Sequence, residues 1–558
     1  MVEIFSYSLI VSILFTPFGV FFIGNQYRNL YWFTKELVFG LVALSFLAIL
    51  FNFFFSLNIY INSIILLLSL IILIKYKKNY LNLNFLKFSI IVSLLVTILI
   101  TESNVYRPDA GLYHLPFTGI LNSEKIIIGL SNLHFRYGHT SIIQYLSAIL
   151  NNFIFNDNGI VFPQAILAAT IIINFVYQIY LYNKNKNYNF HFFYLLFVFI
   201  YIFYKMNRYS EYGNDAPAHF LVFFLISEII LFKDKIGSNE FINHLVLSLF
   251  IIQNKITLIF AVLFNLINLK KIDIKDLINK NKFFFLIFFF IIWIIKNILI
   301  SGCVIYPIKI SCFKNLSWVD IDKIEEVSQS SEAWTKGISD LSNKDKNKFL
   351  ITSDYLKNFS WLTTWSNKHL VYIMSLQIPY LFFCIAILFL IKFKSKSKNS
   401  KIENDYYFLI IVLLFCSLLW FIKSPLYRYG YSFLVCFFSS VFSVIATKST
   451  FNIRRLYILS NFILIFGISI IVSKNIYRIV KNNNDYNNYP WPKYYSMGED
   501  NLLTDFNEVK LGIKKILIPS KGYCMYIKKI CSQYDLNNNL LIKKIRNYDL
   551  IFINKINK

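Results

Sequence analysis

The sequence carries no glycine-rich phosphate loop, no CxxC pair of metal-binding spacing, no HExxH and no GxSxG. Without those motifs it signals no nucleotide cradle, no zinc site and no hydrolase elbow, and an ATP-driven machine is not expected. It has no internal repeat and no low-complexity linker. Its first residues, MVEIFSYSLIVSILF, lack a basic region ahead of the apolar run. They read as a first membrane span and not as a cleaved signal peptide. Acidic residues are scarce, 30 against 56 Lys and Arg, giving a formal net charge of +26. On a soluble chain that excess would suggest nucleic acid. Here the lysines sit mostly in short loops between apolar runs, where they act as topology signals, and nucleic acid is not expected as a partner.

What is present is apolar sequence. Of 558 residues, 56% are hydrophobic. Runs of about sixteen to twenty-two apolar residues recur along most of the chain, the length that crosses a bilayer as a helix. Spans are predicted over residues 5–24, 36–56, 59–74, 86–101, 160–182, 190–204, 217–232, 241–252, 256–269, 283–300, 371–391, 406–422, 430–446 and 456–472, about fourteen in all. The expected fold is an all-α polytopic membrane protein with a small C-terminal α/β domain outside the membrane.

Assigning the loops alternately to two sides puts Lys75, Lys77, Lys78, Lys87, Lys184, Lys186, Lys233, Lys235, Lys448, Arg454, Arg455 and the lysines of 270–282 and 392–401 together. The positive-inside rule makes that side cytoplasmic. The opposite side receives 102–159, 206–216, the corner 253–255, 301–370, 423–429 and the tail beyond 473. Residues 241–269 read as two short helices meeting at an outer corner, since one long helix would carry a lysine-rich loop outside. Residues 141–155 set Ile142, Ile143, Tyr145, Leu146, Ile149, Leu150, Phe153 and Ile154 against Gln144, Ser147 and Asn151. That is the pattern of an amphipathic helix lying on the membrane. Cys384, Cys416 and Cys436 fall inside apolar spans, whereas Cys303/Cys312 and Cys524/Cys531 form two close outer pairs. An oxidising exterior permits both pairs to close as disulfides.

Polar chemistry concentrates on that outer side. The stretch YRPDAGLYHLP opens it, with Pro108 and Pro116 bracketing it as helix stops. The first outer loop holds Glu102, Arg107, Asp109, Tyr113, His114, Asn132, His134, Arg136 and His139. A second segment holds Arg208, Glu211 and Asp215. Asp215 precedes a helix started by Pro217, so it is either a cap for free N–H groups or a second functional acid. Lys255 either snorkels to the interface or serves the same face. Arg428, between two tyrosines at a membrane exit, is either an aromatic-belt anchor or a ligand group. Carboxylates, imidazoles, a lysine and arginines on one face suit a polyanionic, membrane-embedded ligand together with a general base. A lipid-linked phosphate or diphosphate sugar is such a ligand. Its phosphates need cations at headgroup depth, and its acceptor hydroxyl needs a carboxylate to take the proton.

An outer loop with an aspartate at the exit of an early span, followed by amphipathic helices, resembles the GT-C class of integral-membrane glycosyltransferases. More narrowly, DAGLYHLP (109–116), GLSNLHFRYGHTS (129–141), ISGCVIYPIKI (300–310) and SPLYRYG (424–430) look like a bacterial family of GT-C-like multi-pass membrane proteins. The tail GYCMYIKKICS (522–532) resembles that family's Cys-paired end. The resemblance spans most of the chain. It implies transfer of a sugar from a polyprenyl-phosphate-type donor to a cell-surface acceptor, at the extracytoplasmic face of the bacterial inner membrane. Its implied partners are the lipid-linked donor and membrane lipids. Asp109 is implied as general base or as ligand of a divalent metal, with His114 beside it and Asp215 as a second acid. His134 and Arg136 would contact donor phosphate or acceptor, with Arg107, Tyr113 and Asn132 in the same loop, and Lys255 and Arg428 would hold phosphate. The chain departs from the class in two ways: Asp109 is followed by Ala110 where many members have an acidic pair, and roughly four spans precede it instead of one.

The expected organisation is N-terminal spans (1–101), the first outer loop (102–159), a transmembrane core (160–300), a second outer loop (301–370), C-terminal spans (371–473) and the tail domain (474–558). The second loop is long for an unstructured connection. It carries Trp318, Trp334, Trp361 and Trp365, which either stack on a glycan or form an interfacial belt. The tail opens Asn-rich and then alternates in short strand-like runs. Two other classes share parts of the pattern. A polysaccharide polymerase or ligase of the O-antigen type leans on Arg and His without a lead aspartate. A flippase or transporter carries charges inside spans and repeat symmetry, neither of which is expected here.

Overall fold

A computed structural model describes residues 2–24, 29–100, 109–206, 213–338, 348–391, 404–481, 506–520, 523–533 and 539–553. The apolar runs are helical, and asparagine starts several of them. The side chains of Asn29, Asn58, Asn82 and Asn189 accept first-turn backbone N–H groups at 2.9–3.3 Å, satisfying donors that a helix start leaves open.

Among the described residues, eight helices are long and apolar enough to cross a membrane: Val2–Ile23, Leu30–Phe54, Gly159–Lys184, Asn281–Ser301, Leu362–Ile391, Asn404–Lys423, Tyr427–Lys448 and Ile453–Arg478. Shorter apolar helices cover Ile59–Lys75, Leu83–Leu99, Phe190–Lys205 and Ile256–Leu269. Phe162–Lys184, Phe190–Lys205 and Asp215–Leu231 form the centre and are buried nearly all round. The periphery presents apolar side chains outward, with Leu67 59%, Phe389 73% and Ile465 68% exposed. Water does not tolerate so broad an apolar belt, and bilayer hydrocarbon does, so the fold is that of a multi-pass membrane protein.

The helix Ser238–Asn254 breaks at Lys255, with φ −147° and ψ 106°. The chain then turns back, and Asn265 Nδ2 donates to Ser248 Oγ at 2.8 Å. Residues 241–269 are therefore two helical pieces and not one. Several lysine-bearing loops gather at one end of the bundle. Lys271 Nζ donates to Lys233 O at 3.2 Å and to Asp405 Oδ2 at 2.7 Å, and Phe190 stacks on Tyr406 at 4.0 Å. Asp109, Asp215, Lys255 and Arg428 meet at the other end.

Three expectations change. The helix expected over 141–155 is shorter, Ile142–Ile149, and all eight of its residues are buried in protein, so it does not lie on a lipid surface. Its polar face meets other side chains instead. The tail shows no helix among its described residues past 481. Those residues include two antiparallel hairpins, Phe506–Leu511 with Lys514–Pro519 and Leu540–Ile545 with Tyr548–Ile553, so the described part of the tail is β-rich. Charges do lie inside helices: Lys35, Glu36, Glu228 and Lys296 are each buried. Both expected disulfides, Cys303–Cys312 and Cys524–Cys531, are formed.

Candidate functional site

Asp109 precedes a single π-helical turn, Ala110–His114, that runs directly into the helix Leu115–Ser123. Such turns are rare and recur at functional sites. Pro116 falls in the first turn of the following helix, where its missing N–H costs little, so it does not stop the helix. Pro108 lies outside the described residues.

The tail grips this turn from behind. Met525 N–H donates to Gly111 O at 3.0 Å. A Cβ on Gly119 would strike the Ile527 carbonyl, so that position requires glycine for the tail to approach, and one on Gly111 would force the Met525 side chain to move. Tyr526 hydroxyl donates to Asn122 Oδ1 at 2.9 Å and accepts from Asn151 Nδ2 at 2.6 Å. Tyr137 hydroxyl donates to Cys531 O at 2.7 Å. The Cys524–Cys531 disulfide closes the gripping loop.

In front of the turn lies a charge cluster drawn from four parts of the chain. Arg428, at the start of Tyr427–Lys448, joins two acids. Its Nη1 donates to Asp109 Oδ2 at 3.1 Å, and its Nε lies 3.9 Å from Asp215 Oδ2. Lys255 Nζ pairs with Asp215 Oδ1 and donates to Arg428 O at 3.2 Å. Arg136 Nη1 lies 3.7 Å from Asp109 Oδ1. Aromatic rings wall the cations. Arg428 lies 5.3 Å from the Trp334 ring centre and 5.4 Å from that of Tyr429, Lys255 lies 4.3 Å from Tyr429, and Arg136 lies 5.0 Å from Tyr113. Among the described residues, Asp109 and Asp215 against Arg136, Lys255 and Arg428 leave one positive charge in excess. The cluster is open: the Asp109, Asp215 and Arg428 side chains are 26%, 32% and 37% exposed.

These contacts decide between the alternatives the sequence left open. Asp215 is the first residue of its helix, with Asn214 in the cap position, and its carboxylate turns to Lys255. Lys255 is buried and paired instead of snorkelling; burial pulls its proton affinity down while Asp215 opposes that pull. Arg428 uses its aromatic neighbours as walls and its guanidinium to hold the acids.

The other expected residues play supporting parts. His114 is buried. Gln144 Oε1 accepts the Ser141 N–H at 2.8 Å, which aims Gln144 Nε2 at His114 Nδ1, 3.1 Å away. Burial pushes the His114 pKa down to about 4, so the ring is neutral at pH 7, lying 4.2 Å from the Tyr113 ring. That makes it a support for the acid turn. His134 Nδ1 accepts the Arg136 N–H at 3.1 Å and so fixes the turn that aims Arg136; burial first, and the nearby Arg136 charge, push its pKa down to about 3. Asn132 Nδ2 donates to Trp318 O at 2.8 Å and Ile551 O at 3.2 Å, tying loop to tail away from the cluster. His139 packs against the Tyr306 ring at 5.1 Å. Arg107, Glu102, Arg208 and Glu211 lie outside the described residues.

Sequence reasoning did not single out three contributors. Tyr429 walls the cluster. Gln144 holds His114. His219 Nε2 donates to Arg428 O at 2.9 Å while its Nδ1 accepts from Ser432 Oγ at 2.7 Å. The signal for His219 was present, because it lies four residues after Asp215 on the same helix face.

No set of metal ligands is gathered in the cluster among the described residues. Its two carboxylates are already matched to guanidinium and ammonium groups, and no group of three His, Cys, Asp or Glu converges among the described residues. No curated protein and no solved structure matches the chain. A family model does match, over residues 1–435, a span that takes in every member of the charge cluster and ends before the tail. The chain therefore belongs to the family described as a domain of unknown function (DUF8201).

Proposed function

We propose that the protein is a membrane glycosyltransferase that moves a sugar from a polyprenyl-phosphate-type donor to a hydroxyl acceptor at the cell surface. The observation that carries this reading is Arg428 joining Asp109 and Asp215, flanked by Arg136 and Lys255, in an open cluster at one end of the membrane helices. In the reaction Asp109 takes the acceptor's proton as the oxygen attacks the anomeric carbon. The bond from that carbon to the phosphate oxygen breaks, and its electron pair leaves with the lipid phosphate. The three cations stabilise the leaving charge. Asp109 suits the base role better than Asp215, because one oxygen of Asp215 is in direct contact with the Lys255 ammonium. Trp334 and Tyr429 offer ring faces to a sugar. The reading puts the cluster outside the cytoplasm, because lysine loops gather at the opposite end. It also takes the six remaining predicted runs as spans, about fourteen in all.

The test is incubation of the purified protein with polyprenyl-phosphate sugars, with and without Asp109→Asn. Transfer by the wild type and a loss of about 10²- to 10⁴-fold in the variant are expected. Transfer from none of these donors, or full activity in the variant, overturns the reading. The second reading is a lipid-linked sugar flippase, favoured by the charges buried in helices at Lys35, Glu36, Glu228 and Lys296. Movement of lipid-linked sugar across vesicles without a new glycosidic bond would establish it.

A further inference from the structure

Five lysines are buried among the described residues: Lys35, Lys233, Lys255, Lys296 and Lys336. Four have a carboxylate within salt-bridge range: Glu228, Asp234, Asp215 and Glu332. Lys296 has none among the described residues. It belongs to Asn281–Ser301, whose buried residues Phe289, Ile292, Trp293, Lys296 and Ile300 form one stripe. The lysine therefore points into the protein and not out toward the membrane. A buried ammonium without a counter-charge is unfavourable, and its surroundings show what would balance it.

Lys296 Nζ donates to Thr140 Oγ1 at 2.6 Å and lies 5.9 Å from the Tyr145 ring centre. An ammonium has three protons to give, so two remain. The Tyr145 hydroxyl, Asn254 Nδ2 and both polar atoms of Gln253 are buried without a hydrogen-bond partner. The Ser141 hydroxyl donates to Asn254 Oδ1 at 2.6 Å. That bond ties the Lys296–Thr140 contact to the corner carrying Lys255, and through Lys255 to the charge cluster. Thr140 is only half-buried, so the group reaches the surface. The remaining protons of Lys296, the Tyr145 hydroxyl and, along the Ser141–Asn254 link, Asn254 Nδ2 are donors left unmatched among the described residues, and a tetrahedral oxyanion can accept from such groups.

We propose that Lys296, with Thr140, Tyr145 and Asn254, is an anion subsite that takes a phosphoryl group. On the transferase reading, on which this second step rests, the lipid-linked donor is then a diphosphate. One phosphoryl sits at Lys296, and the one bonded to the sugar meets Arg136, Lys255 and Arg428.

The experiment uses the full chain in lipid nanodiscs, with inorganic pyrophosphate and inorganic phosphate as probes in titration calorimetry. The wild type is expected to bind pyrophosphate at least about tenfold more tightly than phosphate. Lys296→Met should weaken pyrophosphate binding by about 10- to 100-fold, the range of a charge-assisted hydrogen bond, and Lys296→Arg should retain it within a few-fold. A Lys296→Met protein that melts like the wild type and binds pyrophosphate undiminished overturns the subsite, as does a wild type with no preference for pyrophosphate. Should Lys296→Met fail to fold, Thr140→Val serves: it should weaken pyrophosphate binding, and unchanged affinity overturns the proposal. Transfer assays separate the two layers. Transfer from monophosphate donors alone overturns the diphosphate assignment and leaves the transferase reading intact. No transfer from either donor class, with pyrophosphate binding still lost in Lys296→Met, overturns the transferase reading and leaves the anion subsite standing.

Discussion

One helix, Asp215–Leu231, carries an ion-pair cluster near each end, about 20 Å apart at a helical rise of 1.5 Å per residue. At Glu228 the pairing is closed. Lys35 Nζ lies 2.5 Å from Glu228 Oε2, with side chains 2% and 0% exposed. Tyr31 hydroxyl donates to the same carboxylate at 3.0 Å, and the rings of Tyr31, Trp32 and Phe232 surround the ammonium. One acid meets one base, the charges cancel, and aromatic rings exclude water. At Asp215 the pairing is open: among the described residues three cations face two acids, and the acids keep a quarter to a third of their surface. The closed cluster is complete in itself, whereas the open one is left with charge and access, which an anionic ligand can use. Charges among membrane helices therefore mark a site only where they fail to cancel.

The largest expected effects set the two ends against each other. Asp109→Asn should remove turnover while leaving the melting temperature nearly unchanged. Glu228→Gln strands Lys35 in the dry core and should cost about 3–5 kcal/mol of stability, with turnover per folded molecule unaltered. Parallel melting and activity assays check both, and a Glu228→Gln protein that folds normally but is inactive would break the comparison. The double change Lys35→Met with Glu228→Leu should recover most of that stability, because apolar replacement of a whole buried pair is close to neutral.

Next comes the tail. Cys524→Ser with Cys531→Ser should cost about 2–4 kcal/mol. Because the loop holds the Asp109 turn, kcat should fall more than KM rises; equal activity in both forms would show that the turn stands unaided. A smaller effect is expected for Trp334→Ala. Losing the ring over Arg428 should weaken substrate binding by about 0.5–2 kcal/mol, read as a rise in KM with Asp109 chemistry intact.

The last expected effect is in pH. His114 and His134 have folded pKa values pushed down by burial to about 4 and about 3, against about 6.5 in an unfolded chain. Below pH 6.5 the unfolded chain takes up protons that the folded one refuses. Stability should thus be full above about 6.5 and fall toward pH 4, by about 1 kcal/mol per histidine per pH unit. His134→Asn should flatten the curve of melting temperature against pH; parallel curves would show that His134 ionises freely in the folded state.

The ends of elements were legible in the sequence, and the partners across them were not. Pro217 and the Gln253-Asn254-Lys255 corner mark where helices start and turn, so Asp215 and Lys255 could be placed near one face. Arg428 reaches Asp109 across 319 positions of sequence, a meeting set by helix packing that no local pattern records. The four tryptophans of the second loop look alike as letters. The fold packs Trp361 and Trp365 against Phe421 and leaves Trp334 over Arg428. Residues 142–149 mislead for a related reason. An amphipathic period reports two unlike faces without saying that the polar one meets water, and here Ser141 and Gln144 meet Asn254 and His114. Lys35 and Glu228 escaped notice because each lies near the end of an apolar run, where a charge is ordinarily read as belonging to the interface.

The contact between Met525 and Gly111 also fixes an order of manufacture. The acid turn is made early in synthesis, and the loop that holds it comes much later in the sequence, at Met525 against Gly111. A nascent polypeptide that has not reached Met525 carries all five charged groups of the cluster yet lacks the piece that braces the turn after Asp109. The acid turn is therefore braced only once the loop around Met525 has reached the turn it grips.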